Sequence, residues 1–185
     1  MIVGDPAIFA IESSVTAAYS RLSFRALGYF LLYIDGQKYG AQRPDATMLA
    51  CSFDEVGRRL MDRGMHIAPI YENRSSNEIA KIFRGMHFSD SHDDNEFISA
   101  ESVFISNRLV WAPDGDSAFD DGSYVLHFDL GSDVRIIAFK SQNDPSMGFD
   151  TPHEIILKAN EFYNILKQWH DLFLLEWTSL PKLPD

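Results

Sequence analysis

Four aspartates fall within eight residues of this chain: Asp114, Asp116, Asp120 and Asp121. Pro113, Gly115 and Gly122 interleave them as turn formers, and Trp111, Phe119 and Tyr124 frame them. Carboxylates at this density can grip a hard cation, run acid–base chemistry, or present charge to a basic partner. An EF-hand loop needs oxygen ligands at its first, third and fifth positions, glycine sixth and glutamate twelfth. Counted from Asp114, the first and third positions fit, but the fifth is Ala118, the sixth Phe119 and the twelfth Val125. The EF-hand register fails, and only a non-standard calcium site stays open. Acid–base work needs two convergent carboxyls, whereas Asp120 and Asp121 are adjacent and would point apart on a strand.

The six histidines, His66, His87, His92, His127, His153 and His170, contain no pair at a zinc-motif spacing such as His-Glu-x-x-His. His87 and His92 come nearest to a metal cluster, beside Asp93 and Asp94. Together with His127 and the Asp114–Asp121 cluster they define one alternative, a metal-binding domain or metal-dependent hydrolase. No nucleophile elbow, P-loop or dinucleotide fingerprint occurs. Cys51, just before a candidate helix, reads as a buried inert thiol. The residues therefore name no catalytic set and no cofactor.

Charge placement says more. The chain carries −11, with 27 acids against 16 bases. Between Asp90 and Asp133 stand eleven acids and one base, Arg108, so this segment alone holds −10 while the remainder is nearly neutral. Such a one-sided field repels nucleic acid and steers basic proteins. Asp114, Asp116, Asp120 and Asp121 are the leading partner-binding candidates, and Trp111 and Phe119 are possible aromatic anchors. Asp93, Asp94 and Glu96 form a second acidic contact. Core filling competes with anchoring for all the framing aromatics, Tyr124 above all. At 185 residues the chain reads as one domain, 1–185. No long apolar run signals a membrane span, the opening residues lack a secretory n-region, and a single cysteine suits the cytoplasm.

These residues need a scaffold. Ile8 to Glu12 reads as a short strand. The apolar run Phe24 to Ile34, closed by Asp35-Gly36, reads as a hairpin with its return at Gln37 to Ala41. Ser52-Phe53-Asp54-Glu55 and Ser75-Ser76-Asn77-Glu78 read as capping boxes, each opening a helix. In the first of these, Val56 and Leu60, with Phe53 a further candidate, would share one face, Arg58, Arg59 and Arg63 would be mostly outward, and Gly64 would end the helix. Met65 to Ala68, Phe97-Ile98, Val103 to Ile105 and Leu109 to Trp111 read as strands. Tyr124–Asp129 and Val134–Lys140 form a hairpin, with Tyr124, Leu126 and Phe128 on one face and Val125, His127 and Asp129 on the other. Thr151-Pro152-His153-Glu154 then starts a long amphipathic helix whose stripe runs from Ile155 through Phe162, Leu166 and Trp169 to Phe173. The sum is α+β: a single domain with a mostly antiparallel mixed sheet and about three helices.

The opening Ile2-Val3-Gly4-Asp5-Pro6 with Phe9-Ala10-Ile11, the Asp35-Gly36 hairpin, and the late Asp114-Gly115-Asp116 with Phe119-Asp120-Asp121-Gly122-Ser123-Tyr124 resemble one known group. They resemble the immunity protein 42 family, bacterial immunity proteins of polymorphic toxin and contact-dependent growth inhibition systems. The resemblance runs through most of the chain, though residues 60–100 carry none of it. It implies a small cytoplasmic protein, without catalysis or cofactor, that binds and neutralises a cognate toxin. Toxins of this kind are often nucleases with basic surfaces, which an acidic inhibitor would suit. An adaptor without a toxin partner is a third reading.

Overall fold

The computed structural model describes residues 1–88, 95–113, 117–141 and 148–183. In chain order its strands and helices are β1 (Ile2–Asp5), β2 (Phe9–Tyr19), β3 (Ala26–Ile34), β4 (Gln37–Tyr39), β5 (Thr47–Met48), α1 (Ala50–Met61), α2 (Ser76–Phe88), α3 (Asn95–Ser106), β6 (Val110–Ala112), β7 (Ser123–Leu130), β8 (Asp133–Lys140), β9 (His153–Lys158), α4 (Ala159–Ser179) and β10 (Lys182–Leu183). Single 3-10 turns lie at Pro69–Tyr71 and Ser117–Phe119.

Two sheets result, and the class is α+β as expected. The first follows the order β1-β2-β3-β4, with β5 added to β3 and β10 parallel to β2. The second follows β6-β7-β8-β9 and is antiparallel throughout. The turn joining β3 to β4 places Asp35 and Gly36 at φ 52° and 73°. A two-residue hairpin of this hand requires positive φ at both positions, which aspartate tolerates and glycine adopts freely.

Alternation along the strands divides the core. Phe9 and Ile11 of β2, Phe30 and Leu32 of β3, Val125 of β7, and Val134 and Ile136 of β8 join Phe162, Leu166, Trp169 and Phe173 of α4 in one cluster. Leu126, Phe128, Ile137 and Phe139 point the other way and meet Ile79, Phe83 and Phe104 of α2 and α3 in a second cluster. The second sheet is thus covered on both faces. The two faces of β7 divide as their period-two pattern requires. Inside the first cluster Trp169 Nε1 donates to Ser13 Oγ at 3.0 Å, which satisfies a polar pair deep between β2 and α4.

Several sequence expectations are corrected. The helix α1 starts at Ala50, so Ser52 is buried within its first turn and makes no cap. Cys51 is exposed. Residues 65–68 form no strand. Residues 95–106 are helix α3 where strands are expected, which raises the helix count among the described residues to four. Residues 153–158 pair with β8 as β9, so the last helix begins at Ala159 rather than at Thr151. The second capping box forms as read: Ser75 Oγ accepts Glu78 N at 3.3 Å while Glu78 Oε2 accepts Ser75 N at 2.9 Å.

Candidate interaction site

The acidic segment hangs between β6 and β7, and both anchors are locked from below. Beneath β6 lies Arg59, which the sequence places outward but which sits on the inner face of α1, only 1% exposed. It pairs with Glu55 at 3.0 Å, donates to Val110 O at 2.6 Å, and meets His127 Nδ1 at 2.9 Å. Its guanidinium also lies 4.9 Å from the centre of the Trp111 ring. Because an arginine has no acceptor, His127 Nδ1 must be the acceptor, and the proton of the neutral ring sits on Nε2. That nitrogen faces Asp129 Oδ1 at 3.5 Å, a contact rather than a well-formed hydrogen bond.

Asp129 gathers the neighbouring elements. It accepts from Gly64 N at 2.9 Å, His66 N at 3.1 Å and the Tyr163 hydroxyl at 2.8 Å. Burial raises its carboxyl, yet His127, Tyr163 and the His66 amide outweigh burial and hold it at about 2. Burial, reinforced by the adjacent Arg59, keeps the His66 imidazole below its usual range. Burial does the same to His127, again with Arg59 opposing a second cation. The His66 ring lies 4.4 Å from the His127 ring, and its Nδ1 donates to the Asn107 and Arg108 carbonyls at 3.2 and 3.1 Å. This network ties α1, the 64–66 segment, the α3–β6 connection, β7 and α4 together. It is structural: every member is buried or committed to a neighbour.

On the β7 side the anchor is Asp121. Its carboxylate holds Lys140 at 2.6 Å and accepts from Gly40 N at 3.3 Å and Ser123 N at 3.2 Å. Burial pushes this carboxyl up, but Lys140 and Ser123 prevail and leave it below the usual carboxylate range. Ala118 O accepts from Ala41 N at 2.8 Å, and Ser117 Oγ donates to Ala46 O at 2.8 Å. The 117–121 segment is therefore fastened onto residues 40–46, the connection between β4 and β5.

A family model for immunity protein 42 matches residues 1–172. The chain belongs to the immunity protein 42 family. Immunity proteins bind and neutralise a cognate toxin, and that is the role of this one. CdiI from Burkholderia dolosa AUO158 has a similar crystal structure, at a TM-score of 0.59 and 16% identity, with 93% of this chain and 99% of that chain covered. At that identity the likeness is one of fold. No curated protein matches the chain.

In this immunity protein the expected contact residues separate into groups. Trp111 and Phe119 are core residues, 1% and 3% exposed, and so present no ring to a partner. Tyr124 packs on Phe83 and Phe139. Asp121 is an architectural ion pair. Asp120 is exposed and has no ion pair among the described residues. Asp114, Asp116, Asp93 and Asp94 lie outside the described residues, as does the side chain of Glu96, which sits in the first turn of α3. Among the described residues no group of three or more His, Cys, Asp or Glu could hold a metal ion, so the metal-binding alternative gains no support from them. His92 lies outside the described residues, as does the His87 side chain. No helix among them is long and apolar enough to cross a membrane.

Sequence reasoning missed the Arg59–His127–Asp129 network. A signal was present. His127 and Asp129 share a strand face with Val125, and two polar residues on a buried face require buried partners.

Proposed function

We propose that this immunity protein works in the cytoplasm by one-to-one binding, without catalysis, against a basic toxin such as a nuclease delivered by contact-dependent growth inhibition. One observation carries the reading: −10 of the net −11 lies between residues 90 and 133, and Asp120 within that segment is exposed on the surface. A surface of this sign draws a cationic partner and speeds encounter. Asp114, Asp116, Asp120, Asp93, Asp94 and Glu96 supply the charge that the toxin meets. Asp121, Trp111 and Phe119 hold the loop from which it is presented. A nuclease surface, built to grip phosphate, suits such an acidic cover.

The test is co-expression with the toxin domain encoded immediately upstream. Cells are expected to survive only when this protein is present, and the purified pair is expected to form a 1:1 complex. Death regardless of its presence would sink the reading. Replacing Asp114, Asp116 and Asp120 by Asn should slow association and flatten its salt dependence.

A further inference from the structure

The outer face of the first sheet carries a feature that neither the core nor the acidic loop uses. Residues 10, 12, 14 and 16 of β2 and 27, 29, 31 and 33 of β3 point away from the main cluster. Ala10 and Leu31 among them are wholly buried, while Glu12, Tyr29 and Tyr33 are half-buried above them. Glu12 stands opposite Leu31, with Tyr29 and Tyr33 two residues either side of it on β3. Both tyrosine hydroxyls donate to the one carboxylate: Tyr29 to Oε1 at 3.0 Å and Tyr33 to Oε2 at 2.5 Å. The rings are thereby pinned across the sheet with a carboxylate between them.

Rigid tyrosines lose little entropy on binding and are enriched at interface centres. A carboxylate whose two oxygens each accept one hydroxyl still has spare lone pairs for a further donor. The flanking rings add π faces that attract cations. The chain itself shows this preference: Lys38 Nζ lies 5.3 Å from the Tyr33 ring centre, drawn there while it donates to Gln42 Oε1 at 2.8 Å. Gln42 sits in the 40–46 segment, to which residues 117–121 are fastened, and Pro44 O of that segment accepts from Thr16 Oγ1 of β2 at 2.7 Å. The acidic loop and the tyrosine-flanked carboxylate thus border the same short segment.

We propose that the Glu12–Tyr29–Tyr33 face is the centre of the toxin-docking surface, and that the toxin seats a lysine or arginine on the Glu12 carboxylate between the two rings. The proposal rests on the immunity reading and adds the contact. Charge selects the occupant: the carboxylate offers acceptors only, and a second copy of this acidic chain would be repelled. The neighbouring loop, with Asp120, steers approach, and the sheet face holds the partner after contact.

The experiment measures affinity of the full-length protein for the purified upstream toxin domain by calorimetry, with growth protection in parallel. Glu12→Lys should weaken binding at least a hundredfold, and Tyr29→Ala with Tyr33→Ala at least thirtyfold. Thermal midpoints are read for each variant. Ser14→Arg, which adds bulk on the same face without removing the carboxylate or the rings, should weaken binding at least tenfold and guards against misfolding of the others. Wild-type affinity in folded Glu12→Lys or Ser14→Arg protein would overturn the docking surface while leaving the immunity role intact. Failure of the wild-type protein to bind or protect would instead overturn the immunity reading itself.

Discussion

The Arg59 guanidinium lies 4.9 Å from the centre of the Trp111 ring and donates to the Val110 carbonyl at 2.6 Å. One buried cation thus fixes both the face of the tryptophan and the backbone of β6. This is why Trp111 serves the loop from beneath. Glu55 at 3.0 Å neutralises the cation, and His127 Nδ1 takes another of its donors at 2.9 Å. Removing one partner of such a set leaves the others desolvated and unpaired, at a cost of about 3–5 kcal/mol. Arg59→Ala should lower stability by about that amount in urea titration. Arg59→Lys should fall between it and wild type, because an ammonium keeps the charge but loses the planar fork that reaches Val110 and His127 together.

The same network sets a pH dependence. His66 and His127 are held below their ordinary value of 6.5, chiefly by burial, so the fold keeps them neutral. The unfolded chain takes up protons there near pH 6.5 while the native state does not. Their contribution is complete above that pH and is lost as pH falls. Each proton taken up only by the unfolded chain tilts stability by about 1.4 kcal/mol per pH unit. Asp129, held down from 3.8 to about 2, adds a second loss between those two values as its carboxylate protonates. Urea midpoints should therefore decline from pH 7 to pH 5. His127→Gln, which keeps an acceptor for Arg59, should remove about one proton's worth of that slope. An unchanged slope in the variant would place the titration elsewhere.

How far the fold could be read from the sequence follows from where its determinants lie. The Asp35-Gly36 and Leu130–Asp133 turns were legible because positive φ selects residue types locally. The Ser75–Glu78 cap is equally local, because its reciprocal hydrogen bonds join residues three apart. Residues 153–158 read as helix because Thr151-Pro152-His153-Glu154 imitates a helix start, while the deciding fact is remote: Ile155 lies opposite Ile136, and Leu157 opposite Val134, of β8. Residues 97–105 look strand-like in short fragments, yet Ala100 and Phe104 recur four apart and pack under α2. At the site, sequence located the acidic loop but could not divide its members. Only the neighbours Lys140 and Gly40 show Asp121 to be structural, while Asp120 is exposed.

That division can be tested directly. Asp121→Asn should cost about 1–2 kcal/mol, because Lys140 loses its counter-charge at a half-buried position. Asp120→Asn should leave the unfolding midpoint unchanged, since its side chain is exposed and unpaired among the described residues. Toxin association should respond the other way. Asp120→Asn should slow it at low salt, and the difference should vanish as ionic strength rises and screens the field. Equal loss of stability in both variants would contradict the assignment.

Close backbone approach makes the last prediction. A Cβ built at Gly28 would lie 1.9 Å from Ser14 O and 3.1 Å from Leu49 Cδ1. Gly28 pairs with Val15, where β2 slips register before Ala17, so glycine lets the β2 backbone cross over β3. Ser14 O belongs to a paired strand and cannot swing aside as a side chain would. Gly28→Ala must therefore push β2 and β3 apart, at about 3 kcal/mol. Gly36 offers the contrast: nothing lies within 4 Å of a Cβ there, and only its φ of 73° opposes a side chain. Gly36→Ala should cost about 1 kcal/mol. The ordering of the two, read from urea midpoints, is the discriminating result. Tyr29 follows Gly28 directly on β3 and pairs with Ser14, whose carbonyl the new Cβ would displace, so Gly28→Ala should also weaken toxin binding under conditions where it remains folded, while Gly36→Ala should not.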